Sequence, residues 1–85
     1  MEEITLSCLG IDTKEALHTA IAQALAFPDW YGMNLDALYD CLTDVETPTH
    51  LHLADWDTLP EWKAAFRAVL DDAENDCMEL IVSYE

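Results

Sequence analysis

Three aspartates, Asp36, Asp40 and Asp44, recur at four-residue spacing within the run Phe27–Val45. On a helix they share one face. Each adjacent pair then sets like charges one turn apart, at a cost of ~0.2–0.5 kcal/mol. No lysine or arginine lies nearby in sequence to relieve them. Clustered carboxylates can do acid–base work or receive a cation. A catalytic pair needs surroundings that push its two pKa values apart, and one exposed helix face would leave these alike. The row therefore points to something cationic outside the chain.

Other chemistry is sparse. With only Gly10 and Gly32, there is no glycine-rich phosphate loop and no nucleophile elbow. Ser7 and Ser83 are the only serines and both fall in strand-like segments, poor material for a Ser-His-Asp arrangement. An enzyme is not expected. His50 and His52 alternate along one strand face, which suits a metal, but no third ligand with sensible spacing is evident, so no metal or cofactor is expected. Cys8, Cys41 and Cys77 are widely spaced and odd in number, which reads as small apolar residues in a reducing compartment. The segment Leu35-Asp36-Ala37-Leu38 is similar to the Asp-Ser-Leu of acyl carrier proteins. Ala37 stands at the attachment serine, so no prosthetic arm can be carried.

The elements that must position the aspartates follow from periodicity. Glu3 to Ser7 alternates as a first strand and Gly10 turns the chain. Asp12 and Glu15 are spaced as a capping box for a helix over about Thr13–Ala26. Leu17, Ala20, Ile21, Ala24 and Leu25 form its core face, and His18 lies nearly opposite, as a solvated side chain. Pro28 ends that helix. The turn Pro28–Gly32 leads to Asn34, the expected N-cap for the helix carrying the aspartates. Leu35, Leu38 and Leu42 are its buried stripe, with Asp36, Asp40, Thr43 and Asp44 on the other half. His50 to Ala54 is a second strand. Thr58 and Glu61 are spaced as another capping box, and the helix to about Asn75 carries Trp62, Ala65, Phe66, Val69 and Ala73 inward. Met78 to Tyr84 reads as a third, well-buried strand. The fold class is α/β, in the order β-α-α-β-α-β. Helical segments separate every strand pair, so the sheet is expected to be three-stranded and parallel, packed by three main helices mainly on one face. Residues 1–85 read as one domain.

Composition narrows the partners. Eighteen acidic residues against Lys14, Lys63 and Arg67 give a net charge of −15. A phosphate backbone would be repelled, which excludes ordinary nucleic-acid binding. The charge far exceeds the magnitude of about 2–8 that solubility asks for, and it steers cationic partners inward. No apolar run is long enough for a membrane span. The acidic start, Met-Glu-Glu, is unlike a secretory signal, so a cytoplasmic protein is expected, and separately a monomer when free.

The string Pro28-Asp29-Trp30-Tyr31-Gly32-Met33-Asn34-Leu35-Asp36-Ala37-Leu38-Tyr39-Asp40-Cys41-Leu42-Thr43 resembles the barstar family of intracellular ribonuclease inhibitors. The first strand and helix, and Cys77 before the last strand, extend the resemblance over nearly the whole chain. It implies a three-stranded parallel sheet packed by helices. It also implies that the second helix and the loop before it plug the active site of a cationic nuclease. Asp40 would stand where a substrate phosphate sits, with Asp36 beside it. Trp30 and Tyr39 match two aromatic contacts, and Asn34, Leu35 and Thr43 match the family's other contact positions. Asp71 aligns with a glutamate that meets the nuclease rim. The chain departs from barstar at Asp44-Val45, where barstar has Gly-Trp. This exchanges an aromatic loop contact for a charge and keeps open an alternative: an acidic module of this fold for a different basic partner or toxin. The shorter stretch between the second strand and the last helix implies the loss of a short helix.

Overall fold

The computed structural model describes residues 1–85. Its elements are β1 (Glu2–Ser7), α1 (Lys14–Ala24), α2 (Leu35–Thr43), β2 (Thr49–Ala54), α3 (Lys63–Asp76) and β3 (Leu80–Tyr84). The sheet is parallel in the order β1-β2-β3, with Glu3 opposite His50 and His52 opposite Ser83. This is the expected three-stranded parallel α/β fold in the order β-α-α-β-α-β.

Both crossovers step the same way across the sheet. With the right-handed sense that such parallel connections take, the three helices fall on one face, and all three share a core with β2. Alternation along β2 follows: Thr49, Leu51 and Leu53 are buried, while His50, His52 and Ala54 are half-buried on the other side. Leu51 and Leu53 meet Leu17, Ile21, Leu38, Leu42, Phe66 and Leu70 in one core. No helix is long and apolar enough to cross a membrane.

β2, not β3, is the deeply buried strand. β3 is an edge whose Leu80 and Val82 face inward while Ile81 is exposed, and Met78 stays outside the strand at 97% exposure. The Val82 amide on that edge donates to the Glu74 carboxylate of α3 at 2.7 Å.

The helix starts differ from the spacing-based expectation. Thr13, not Asp12, caps α1, its hydroxyl accepting from the Ala16 amide at 3.1 Å. Glu15 is thereby one position too early to reciprocate, and it serves as an acid in the first turn. Thr58 does not cap α3. It lies in a single 3-10 turn, Trp56–Thr58, and its hydroxyl donates to the Asp55 carbonyl at 2.7 Å. Trp56 is buried edge-on against Tyr84, with ring centroids 4.9 Å apart, and this packing pulls the turn inward before a helix can begin. α3 then starts at Lys63 without a side-chain cap. Its inner stripe includes Leu70, and Ala65 is exposed.

His18 is the clearest correction. It is buried, not solvated. Its Nδ1 lies 2.6 Å from the Tyr31 hydroxyl, and its ring packs 4.7 Å from Phe66. α1 buries two flanks, one on the sheet and one under the Pro28–Gly32 turn and α3.

Candidate functional site

The loop from Ala26 to Asn34 is held at both ends. Ala26 and Met33 adopt left-handed backbone, φ 56° and 55°, which costs a non-glycine residue about 1–2 kcal/mol. The Phe27 amide donates to Ala22 and the Tyr31 amide to Pro28. Tyr31 is the anchor. Its ring is buried against Phe27, centroids 5.1 Å apart, and its hydroxyl meets His18. Burial pushes the Tyr31 phenol up to about 12, and burial pushes the His18 pKa down, which favours a neutral ring. Trp30, one residue earlier, is thrown outward and is 77% exposed.

Asn34 starts α2, its side-chain oxygen accepting from the Ala37 amide at 2.8 Å. Its amide group also donates to the Gly32 carbonyl at 3.2 Å. A Cβ at Gly32 would lie 3.1 Å from that same Asn34 nitrogen. Leu38 and Leu42 bury the inner face, and Leu35 is half-buried. The outer face carries exposed Asp36, Asp40 and Asp44.

Asp36, in the first turn, suits the positive end of the helix dipole. Asp44 occupies the C-cap, where a negative charge is unfavourable, and no basic residue sits in the last turn. None of the three aspartates takes part in an ion pair; the Lys and Arg residues are engaged elsewhere or free on other elements.

Trp30, Asp40 and Asp44 line one depression of ≈ 440 Å³, floored by Leu25, Phe27, Cys41 and Val45. A polar rim over an apolar floor is thus formed by loop and helix together. The Cys41 thiol there is pushed up by burial and then by Asp40 and Asp44, so it stays protonated near neutral pH and is a poor nucleophile.

The remaining predicted residues sit around this centre. Tyr39 is half-buried and its hydroxyl donates to the Asp76 carboxylate of α3, which raises its pKa and fixes its ring at the α2–α3 seam. The Thr43 hydroxyl bonds back to the Tyr39 carbonyl at 2.9 Å. Asn34 and Leu35 line a separate depression with His18, Met33 and Trp62. Asp71 stands apart on α3. It accepts from the Tyr84 hydroxyl at 2.9 Å, and its other oxygen lies 3.8 Å from Arg67 Nε. Sequence reasoning missed His18 and Asp76, which hold Tyr31 and Tyr39 in place. Each lies more than a dozen residues from its tyrosine, and no local spacing marks either pair.

The family model described as Barstar (barnase inhibitor) matches residues 1–83. A protein of Bacillus subtilis (strain 168) named "Putative ribonuclease inhibitor YrdF" is 41% identical over 58 residues. That match spans 67% of this chain and 64% of the length of the relative. The β-α-α-β-α-β order, the parallel three-stranded sheet and a family match over residues 1–83 together establish that the chain belongs to the barstar family.

Proposed function

We propose that this chain is a protein inhibitor of a cationic bacterial ribonuclease, of the immunity or antitoxin type, and that it acts in the cytoplasm as a monomer. It blocks by occupation and performs no catalysis. Asp40 enters the nuclease active site in place of a substrate phosphate. Asp36 and Asp44 extend the negative row, and Trp30 packs on the rim.

The observation that carries this reading is the row of aspartates on α2, unpaired within the chain and set beside an outward tryptophan. Repulsion within that row is relieved when arginine or lysine side chains arrive. Charge-assisted bonds to a guanidinium are among the strongest available at an interface. Tyr39, Thr43, Asn34 and Leu35 supply the surrounding contacts, and Asp71 a contact at the edge.

The test is stoichiometric titration of purified cationic ribonucleases in an RNA-cleavage assay. The expected outcome is inhibition competitive with RNA. Asp40→Ala should cost about 2–5 kcal/mol, mainly through faster dissociation. Inhibition that Asp40→Ala leaves unchanged would sink the phosphate-mimic reading. Asp44-Val45 favours one second reading, a basic partner other than a ribonuclease. Tight, Asp40-dependent binding to a basic protein without ribonuclease activity would select it.

A further inference from the structure

The sheet face turned away from the helices carries a cluster with no part in the α2 surface. Glu3 on β1 pairs in register with His50 on β2, and His52 follows two residues on, pointing to the same side. The carboxylate of Glu3, a ring nitrogen of His50 and one of His52 all lie within 4.8 Å of one another. Glu3 Oε1 is 2.6 Å from His52 Nε2 and 3.9 Å from His50 Nδ1. A tetrahedral zinc ion with bonds near 2.05 Å needs ligand atoms about 3.3 Å apart. The observed separations bracket that value. Glu3, whose side chain is 61% exposed, is free to close the difference.

A second, independent feature concerns the far side of each ring. His50 Nε2 lies 2.7 Å from Ser83 Oγ, and His52 Nδ1 lies 2.7 Å from Glu85 Oε2. The two rings are stacked with centroids 3.8 Å apart. Metal-bound imidazoles are typically oriented in this way, the non-ligating N–H donated to a hydroxyl or carboxylate that fixes ring and tautomer. Here the outer partners are Ser83 of β3 and Glu85, the residue that follows that strand. All three strands thus contribute, two supplying ligands and one, with the residue after it, the orienting groups.

From this geometry we infer that Glu3, His50 and His52 form a binding site for a divalent transition-metal ion, zinc foremost, on the open face of the sheet. His50 binds through Nδ1, His52 through Nε2, and Glu3 through one carboxylate oxygen. The fourth position is left to water. The nitrogen-rich donor set selects zinc, copper or nickel over magnesium or calcium, which prefer all-oxygen sites. The net charge of −15 draws any dication towards the molecule, but only the histidines discriminate among them. In the metal-free protein both ring nitrogens of His52 face carboxylates, and the ion takes the place beside Nε2 between that ring and Glu3. Because the site lies across the sheet from α2, loading it leaves the aspartate row free.

The test uses the full chain, treated with chelator and titrated calorimetrically with ZnCl2 at about pH 8, where ordinary histidine is neutral, with excess Mg²⁺ present. The expected result is one zinc per chain, lost in His50→Gln and His52→Gln and retained in Cys41→Ser. Glu85→Gln should weaken affinity by about 10-fold, the usual scale for removing an orienting partner. The inference is overturned by absence of saturable zinc binding, or by binding that survives both histidine variants. Should those variants fail to fold, ring ¹⁵N shifts of the native protein decide. Zinc must move His50 Nδ1 and His52 Nε2 and leave His18 in place; movement of His18 alone, or of no ring, overturns the assignment.

Discussion

Asp40 has no internal partner, so its removal should separate binding from stability. Asp40→Ala is expected to leave the free protein unchanged or more stable by ~0.2–0.5 kcal/mol, as a like-charge neighbour is lost. Urea denaturation checks this, and a clear loss of stability would make the residue structural. Two histidines give the molecule opposite responses to pH. His52 has its pKa raised by Glu3 and then by Glu85. Its contribution to stability is therefore complete below the unfolded value of 6.5 and is lost as pH rises through the folded one. His18 has its pKa lowered by burial. Its contribution is present above 6.5 and is lost as pH falls through the folded value. In a urea series run at several pH values in chelator, the stability difference from native should shrink with rising pH for His52→Gln. For His18→Gln it should grow.

At the scale of elements, α2 depends on its cap and on the loop before it. Asn34→Ala should cost about 1 kcal/mol through loss of the bond to the Ala37 amide. Tyr31→Phe leaves a buried His18 nitrogen without its partner and should cost about 1–3 kcal/mol. It should also weaken ribonuclease binding more than an equal loss of stability elsewhere, because Trp30 is presented by the same turn. Calorimetry paired with the inhibition assay separates the two effects. These elements differ in how far the chain announces them. The alternation of β2 and the leucine spacing of α2 report one buried face each, and that single periodicity was enough to read order and type. α1 buries a second flank under a loop and α3, which no single period encodes, so spacing alone puts His18 in solvent. The caps of α1 and α3 moved because acid–hydroxyl spacing recurs by chance in so acidic a chain, and the burial of Trp56 decides where α3 begins. The aspartate row was legible because its residues are local. The Glu3-His50-His52 cluster was not, because strand register alone brings Glu3 to the histidines.

At the scale of the molecule, a net charge of −15 sets the long-range behaviour. Association with the proposed cationic partner should slow steeply as ionic strength rises, while dissociation, governed by buried contacts, should change little. Stopped-flow mixing over a salt series measures both. Self-repulsion eases over the same series, so the free protein should become more stable as its binding slows. The charge also bears on how copies of the chain meet one another. β3 ends the sheet with outward amides, an invitation to strand-by-strand growth into fibrils. The Leu80 amide is taken by the Cys77 carbonyl and the Val82 amide by Glu74, so two donors of that edge are withheld from a neighbour. Glu74→Ala should therefore leave inhibition intact and shorten the lag of thioflavin-detected aggregation, which makes one glutamate of α3 a guard against polymerisation.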